Sequence, residues 1–179
     1  MSMGPRTTQS AGDFSHHLSV PSVAGTTGWG AAVADILKGG DIILLTGPLG
    51  AGKTCFVQGL CGALKVAEEV VSPTFTLVNT YEGRLRVHHL DFYRVAEGDD
   101  LADIGVPDIL DEVWDGRAVL LVEWPLPLME ELGPDQPRLE MMVETGPGPE
   151  DRTWHIRGVP HLTEHWQELL DRLEKDGSC

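Results

Sequence analysis

The sequence predicts an α/β fold, one domain organised around strands buried in a parallel sheet, and three observations carry that prediction. Two continuous apolar runs, Asp41–Thr46 and Ala118–Val122, lack polar alternation and read as strands covered on both faces. A glycine-rich turn, GPLGAGKT over Gly47–Thr54, follows the first run and opens the helix-compatible stretch Cys55–Leu64. Strand and helix patterns then alternate without a repeat or an interdomain linker. At 179 residues the chain is long enough for one domain with a sizeable core. Residues 1–17 read as a disordered leader and 18–179 as the domain.

In chain order, Leu18–Val23 is a short strand candidate. Thr26 or Thr27 can cap a helix running to about Leu37, with Trp29, Val33, Ile36 and Leu37 at helical spacing and Gly39-Gly40 ending it. After the Asp41–Thr46 strand and the glycine-rich turn, a helix runs from near Lys53 to about Leu64. Pro73 interrupts pairing in Val70–Tyr81, after which Thr76–Tyr81 and Arg84–Leu90 form a hairpin about Glu82-Gly83. Short helices cover Leu101–Ile104 and Val106–Trp114, and Pro125 and Pro127 terminate the second apolar strand. One helical turn is expected at Leu128–Leu132, and strands Arg138–Glu144 and Thr153–Val159 flank a Gly146–Pro149 turn. Pro160–Lys175 is an amphipathic helix, its stripe formed by Leu162, Trp166, Leu169, Leu170 and Leu173.

Composition excludes several classes. No apolar run approaches the ~20 residues that span a bilayer, and the N-terminus has no apolar core of the kind a secretory signal needs. Lys and Arg number 13 against 28 acids, a net charge of −15, and no basic stripe is visible. That balance argues against direct high-affinity nucleic-acid binding and for protein partners. Cys55, Cys61 and Cys179 form no C-x-x-C pair, and thiols packed on a helix imply a reducing compartment, the cytoplasm.

The chemistry starts from the turn. Gly47, Gly52, Lys53 and Thr54 fit the Walker A template for binding a nucleoside triphosphate. Gly50 and Gly52 can take positive φ and bring backbone N–H groups close to phosphate oxygens, and the following helix aims its dipole at the same place. Lys53 serves the β- and γ-phosphates and Thr54 offers a hydroxyl to Mg²⁺. Such a site needs carboxylates at the carboxyl ends of neighbouring strands, and Asp91 and Glu123 end two of them. Trp124 can stack on an adenine ring or pack in the core. Ser72 and Thr74 lie where a switch loop would sense a γ-phosphate, or in an ordinary proline loop. His88, His89, His161 and His165 complete no zinc constellation and read as structural or surface residues, and Arg94 and Arg152 could reach phosphate. The one asparagine, Asn79, precedes Thr80, so no N-K-x-D guanine signature exists, nor any D-x-x-G; adenine is the better base.

Four motifs in order, GPLGAGKT, SPTFTLVNTY, HHLDFYR and LVEWP, closely resemble the TsaE (YjeE) family of bacterial P-loop ATPases, over about Pro21 to Trp154. The resemblance implies a three-layer P-loop NTPase-type fold, its mainly parallel central sheet extended by an antiparallel addition. It implies that Gly50, Ala51, Gly52, Lys53, Thr54 and Cys55 wrap the phosphates of ATP, with Thr54 and Glu123 as Mg²⁺ ligands. Ser72 and Thr74 would stand near the γ-phosphate on a mobile loop, Asp91 would support hydrolysis, Trp124 would sit by the base and the segment at Val23 would edge the adenine. Arg152 would join the nucleotide-binding set, and Lys53, Glu123 and Thr74 would join Asp91 in the catalytic one. Family members act with TsaB and TsaD in threonylcarbamoyl modification of adenosine in tRNAs that read ANN codons, without installing the group themselves. The Leu126-Pro127-Leu128 loop and the Gly146–Pro149 turn depart from the family pattern. A small-metabolite P-loop kinase is the alternative, though no arginine-rich lid is visible; a nucleotide-dependent scaffold is a third reading.

Overall fold

The structure, a computed structural model, describes residues 13–96 and 98–176. Residues 1–12, which hold most of the expected leader, and Cys179 lie outside the described residues. Seven strands, β1 (His16–Val20), β2 (Ile42–Thr46), β3 (Val78–Tyr81), β4 (Arg86–Asp91), β5 (Ala118–Glu123), β6 (Arg138–Thr145) and β7 (Arg152–Val159), form one sheet in the order β1-β7-β6-β2-β5-β4-β3. The four inner strands β6, β2, β5 and β4 are parallel. Antiparallel strands extend the sheet at both edges, β3 on one side and the β7–β1 pair on the other.

The apolar runs explain the layering. Alternate residues of β2 feed opposite cores: Ile43 and Leu45 pack with α1 (Val23–Ile36), α2 (Lys53–Ala63) and α5 (Glu164–Asp176), whereas Ile42 and Leu44 pack with α3 (Val106–Trp114). Helix–sheet–helix layers result, with β2 and β5 in the middle and their carboxyl ends opening onto one edge. The short α4 (Met129–Leu132) follows a 3-10 turn at Leu126–Leu128 and contributes Leu132 to the second core. Helices α1 and α2 cross closely because glycines meet backbone at the contact. A methyl group on Gly30 would fall on the Phe56 carbonyl, and one on Gly59 on the Thr27 carbonyl. Among the described residues no helix is long and apolar enough to cross a membrane.

Three boundaries differ from expectation. Strand β1 starts at His16 rather than Leu18, Phe14 is buried and Ser15 N–H bonds Ile156 O at 3.1 Å, so residues 13–17 belong to the fold. The polar His16-His17 hid a strand whose partner, β7, lies over 130 residues away in sequence. Helix α1 is capped by Ser22, whose Oγ accepts from Gly25 N–H at 3.0 Å, and not by Thr26 or Thr27. Those two threonines sit inside the helix and donate their hydroxyls back to Ser22 O and Val23 O. Helix α5 begins at Glu164, because residues 160–163 are spent crossing from β7, and Leu162 joins the core from that crossing.

Candidate functional site

The site lies at the carboxyl ends of β2, β5 and β4. Parallel register sets Leu45 beside Glu123 and Asp91 beside Glu123, so two acids from distant segments end side by side next to the strand that launches the loop. The loop leaves β2 at Thr46 and turns through Gly47, Gly50 and Gly52, the last two at φ 77° and 101°, the left-handed conformations predicted for them. Gly52 is the N-cap of α2 and supplies no side-chain bond to the first amides, which leaves that turn without a protein cap.

Lys53 is buried at the start of α2. Its Nζ donates to Gly47 O and Pro48 O, each at 2.9 Å, and stands 4.5 Å from the centroid of the Trp124 ring. Burial lowers the pKa of its amine, and the carboxylates of Glu123 and Asp91 act in the opposite direction. Thr54 Oγ1 donates to Glu123 Oε1 at 3.0 Å, and Glu123 is 3% exposed. A hydroxyl and a carboxylate are hard oxygen donors, the kind Mg²⁺ takes, so the pair fits that ion.

Asp91 has its own donors. Ser72 Oγ and Thr74 Oγ1 both donate to Oδ2, at 2.7 and 2.8 Å, and Tyr93 N–H donates to Oδ1 at 2.9 Å. The two hydroxyls are also 2.7 Å from each other. The proline loop that carries them is thus fastened to the acid expected to support hydrolysis. On the far side of the loop, Arg152 Nε donates to Ala51 O at 2.8 Å and its Nη1 to Pro149 O and Asp151 O. Cys55 Sγ lies 3.4 Å from Thr27 Oγ1 and 3.9 Å from Val23 O, which brings Cys55 and Val23 together.

The residues singled out for the site gather at the carboxyl ends of the parallel strands, Arg94 apart. Trp124, which the resemblance sets by the base, lies over Lys53 and against Tyr93. Its N–H bonds Leu45 O at 3.1 Å while its φ is 56°, and this left-handed turn swings the ring back over the loop's lysine. Arg94 stacks on the Phe75 ring at 4.3 Å instead of facing the loop. His89, which reads from the sequence as structural or surface, meets the site: its Nε2 lies 3.0 Å from Glu123 Oε1 and its ring is fully buried. The signal was its position two residues before Asp91, on the same face of a strand. His88, on the opposite face, pairs with Glu112 and Thr80 and is structural as expected.

Three comparisons bear on this geometry. The family model described as threonylcarbamoyl adenosine biosynthesis protein TsaE matches residues 20–152. The chain is 44% identical over 103 residues to the tRNA threonylcarbamoyladenosine biosynthesis protein TsaE of Treponema pallidum, covering 58% of this chain and 73% of that protein. It is 37% identical over 140 residues to the Bacillus subtilis protein of the same name, covering 78% and 83%. A crystal structure of Bacillus subtilis YdiB superposes with a TM-score of 0.66 at 27% identity, over 89% of this chain and 94% of that one.

Proposed function

The chain belongs to the TsaE family, and we propose that it binds ATP with Mg²⁺ and hydrolyses it slowly, acting with a TsaB–TsaD complex in threonylcarbamoyl modification of adenosine in tRNAs that read ANN codons. One observation carries the reading: the Thr54 hydroxyl bonds the Glu123 carboxylate at 3.0 Å beside the buried Lys53, at the end of a loop that matches Walker A.

In this reading the amides of Gly50–Cys55 and the Lys53 ammonium bind the phosphates, and Lys53 exchanges its two loop carbonyls for phosphate oxygens. Thr54 and Glu123 would hold Mg²⁺, which would supply positive charge against the phosphates. Asp91 orients the attacking water, held in its rotamer by Ser72 and Thr74. Trp124 shields the lysine from solvent, while Val23, Cys55 and Arg152 border the nucleoside side. The net charge of −15 leaves contact with tRNA to the partner proteins, and the cytoplasm is the place of work.

The test is ATP hydrolysis with and without TsaB and TsaD, comparing wild type with Asp91→Ala and Glu123→Ala. Partner-stimulated turnover, lost in both folded variants, supports the reading. Turnover indifferent to partners, with phosphate passed to a small acceptor, replaces it with a kinase.

A further inference from the structure

His88 and His89 are adjacent in β4 and point to opposite faces of the sheet, and their hydrogen bonding differs. His88 has both ring nitrogens partnered, Nδ1 with Thr80 Oγ1 and Nε2 with Glu112 Oε2, each at 2.9 Å. Among the described residues, His89 is 0% exposed, has one polar contact, Nε2 to Glu123 Oε1 at 3.0 Å, and leaves Nδ1 buried without a partner. An orphaned buried nitrogen costs stability, and a leucine would fill this apolar place without it. The imidazole is therefore not explained by the fold. Its one bond leads to the carboxylate that also receives Thr54, and both donors land on the same oxygen. Because a carboxylate only accepts, Nε2 carries the hydrogen.

We propose that His89 is the positioning residue of Glu123: its Nε2–H fixes the carboxylate in the rotamer that meets Thr54, so the metal-binding pair is set before Mg²⁺ arrives. The inference rests on the reading of Thr54 and Glu123 as the Mg²⁺ pair. Glutamine places its amide nitrogen where Nε2 stands, whereas asparagine reaches only the Nδ1 place, and the two substitutions separate positioning from bulk.

Calorimetric titration with a non-hydrolysable ATP analogue, in chelator and in Mg²⁺, tests it on wild type, His89→Gln, His89→Asn and His89→Leu. The expected result is that Mg²⁺ tightens binding to wild type and His89→Gln, while His89→Asn and His89→Leu lose about tenfold or more of that gain. Affinity in chelator stays the same in all four. If Asn and Leu keep the full gain, or if Gln loses as much as Leu, the proposal is overturned. Should His89→Leu fail to fold, Gln against Asn still decides. A wild-type protein that gains nothing from Mg²⁺ overturns the metal reading of Thr54 and Glu123 and the inference with it.

Discussion

Asp91 and Glu123 are register partners at the ends of adjacent parallel strands, yet they share no donor. Ser72, Thr74 and Tyr93 serve the first, and Thr54 and His89 serve the second. Separate hydrogen-bond sets fit the two different tasks proposed for these carboxylates.

Separate tasks give separable losses. Asp91→Asn is expected to lower partner-stimulated turnover roughly 100-fold or more while nucleotide affinity holds, because only the group acting on the water is changed. Glu123→Gln is expected to weaken binding in Mg²⁺ and leave binding in chelator unchanged. Calorimetry alongside steady-state hydrolysis distinguishes the two, and identical profiles for both variants would refute the division.

Ser72→Ala and Thr74→Ala each remove one charge-assisted hydrogen bond from Asp91 Oδ2. About 1.5 kcal/mol per bond corresponds to a loss of about tenfold in turnover for each. Since the hydroxyls also contact each other at 2.7 Å, the double variant should lose less than the product of the two. Single-turnover hydrolysis of the three variants reads the coupling.

The helix crossing predicts opposite signs for two glycines on α2. Gly59→Ala drives a methyl group into the Thr27 carbonyl and should cost about 1–3 kcal/mol, lowering Tm by several degrees. Gly62 has open space where a Cβ would stand, so Gly62→Ala should raise Tm by reducing the freedom of the unfolded chain. Thermal melts followed by circular dichroism compare them directly.

Burial pushes the Cys61 thiol from 9.0 up to about 12. The folded state therefore holds its proton where the unfolded chain has lost it. Stability from this group is full below about pH 9 and declines as pH rises from there toward 12, by about 1.4 kcal/mol per unit at most. The fall in Tm between pH 8 and pH 10 should be smaller in Cys61→Ala than in wild type. Equal falls would show that another group governs alkaline stability.

The sequence disclosed those parts of the site whose chemistry is local. The turn from Gly47 to Thr54 is contiguous, and its glycine φ values follow from its own residues. Asp91 and Glu123 were visible because a strand pattern stops at each, the mixed Arg84–Leu90 and the apolar Ala118–Val122, which marks a strand end wherever its neighbours lie. The His89–Glu123 bond was not visible, since it depends on the register of strands 34 residues apart. The contact of Trp124 with Lys53 was not visible for a different reason: one left-handed φ turns the ring over the lysine, and no composition signal marks that angle in a tryptophan. The cap of α1 was placed four or five residues late, at Thr26 or Thr27 instead of Ser22, because serine and threonine are both good caps.

Arg152 reaches across 101 residues to hold the carbonyl of Ala51, and β1 has β7 as its partner in the sheet. On a ribosome, where the chain emerges from its N-terminus, the phosphate loop and α2 appear early but wait for this brace. The first strand waits as well, until the seventh has been made. The proposed nucleotide site is thus completed late in synthesis, and a nascent chain stalled before residue 152 would carry the Walker A motif without its finished cradle.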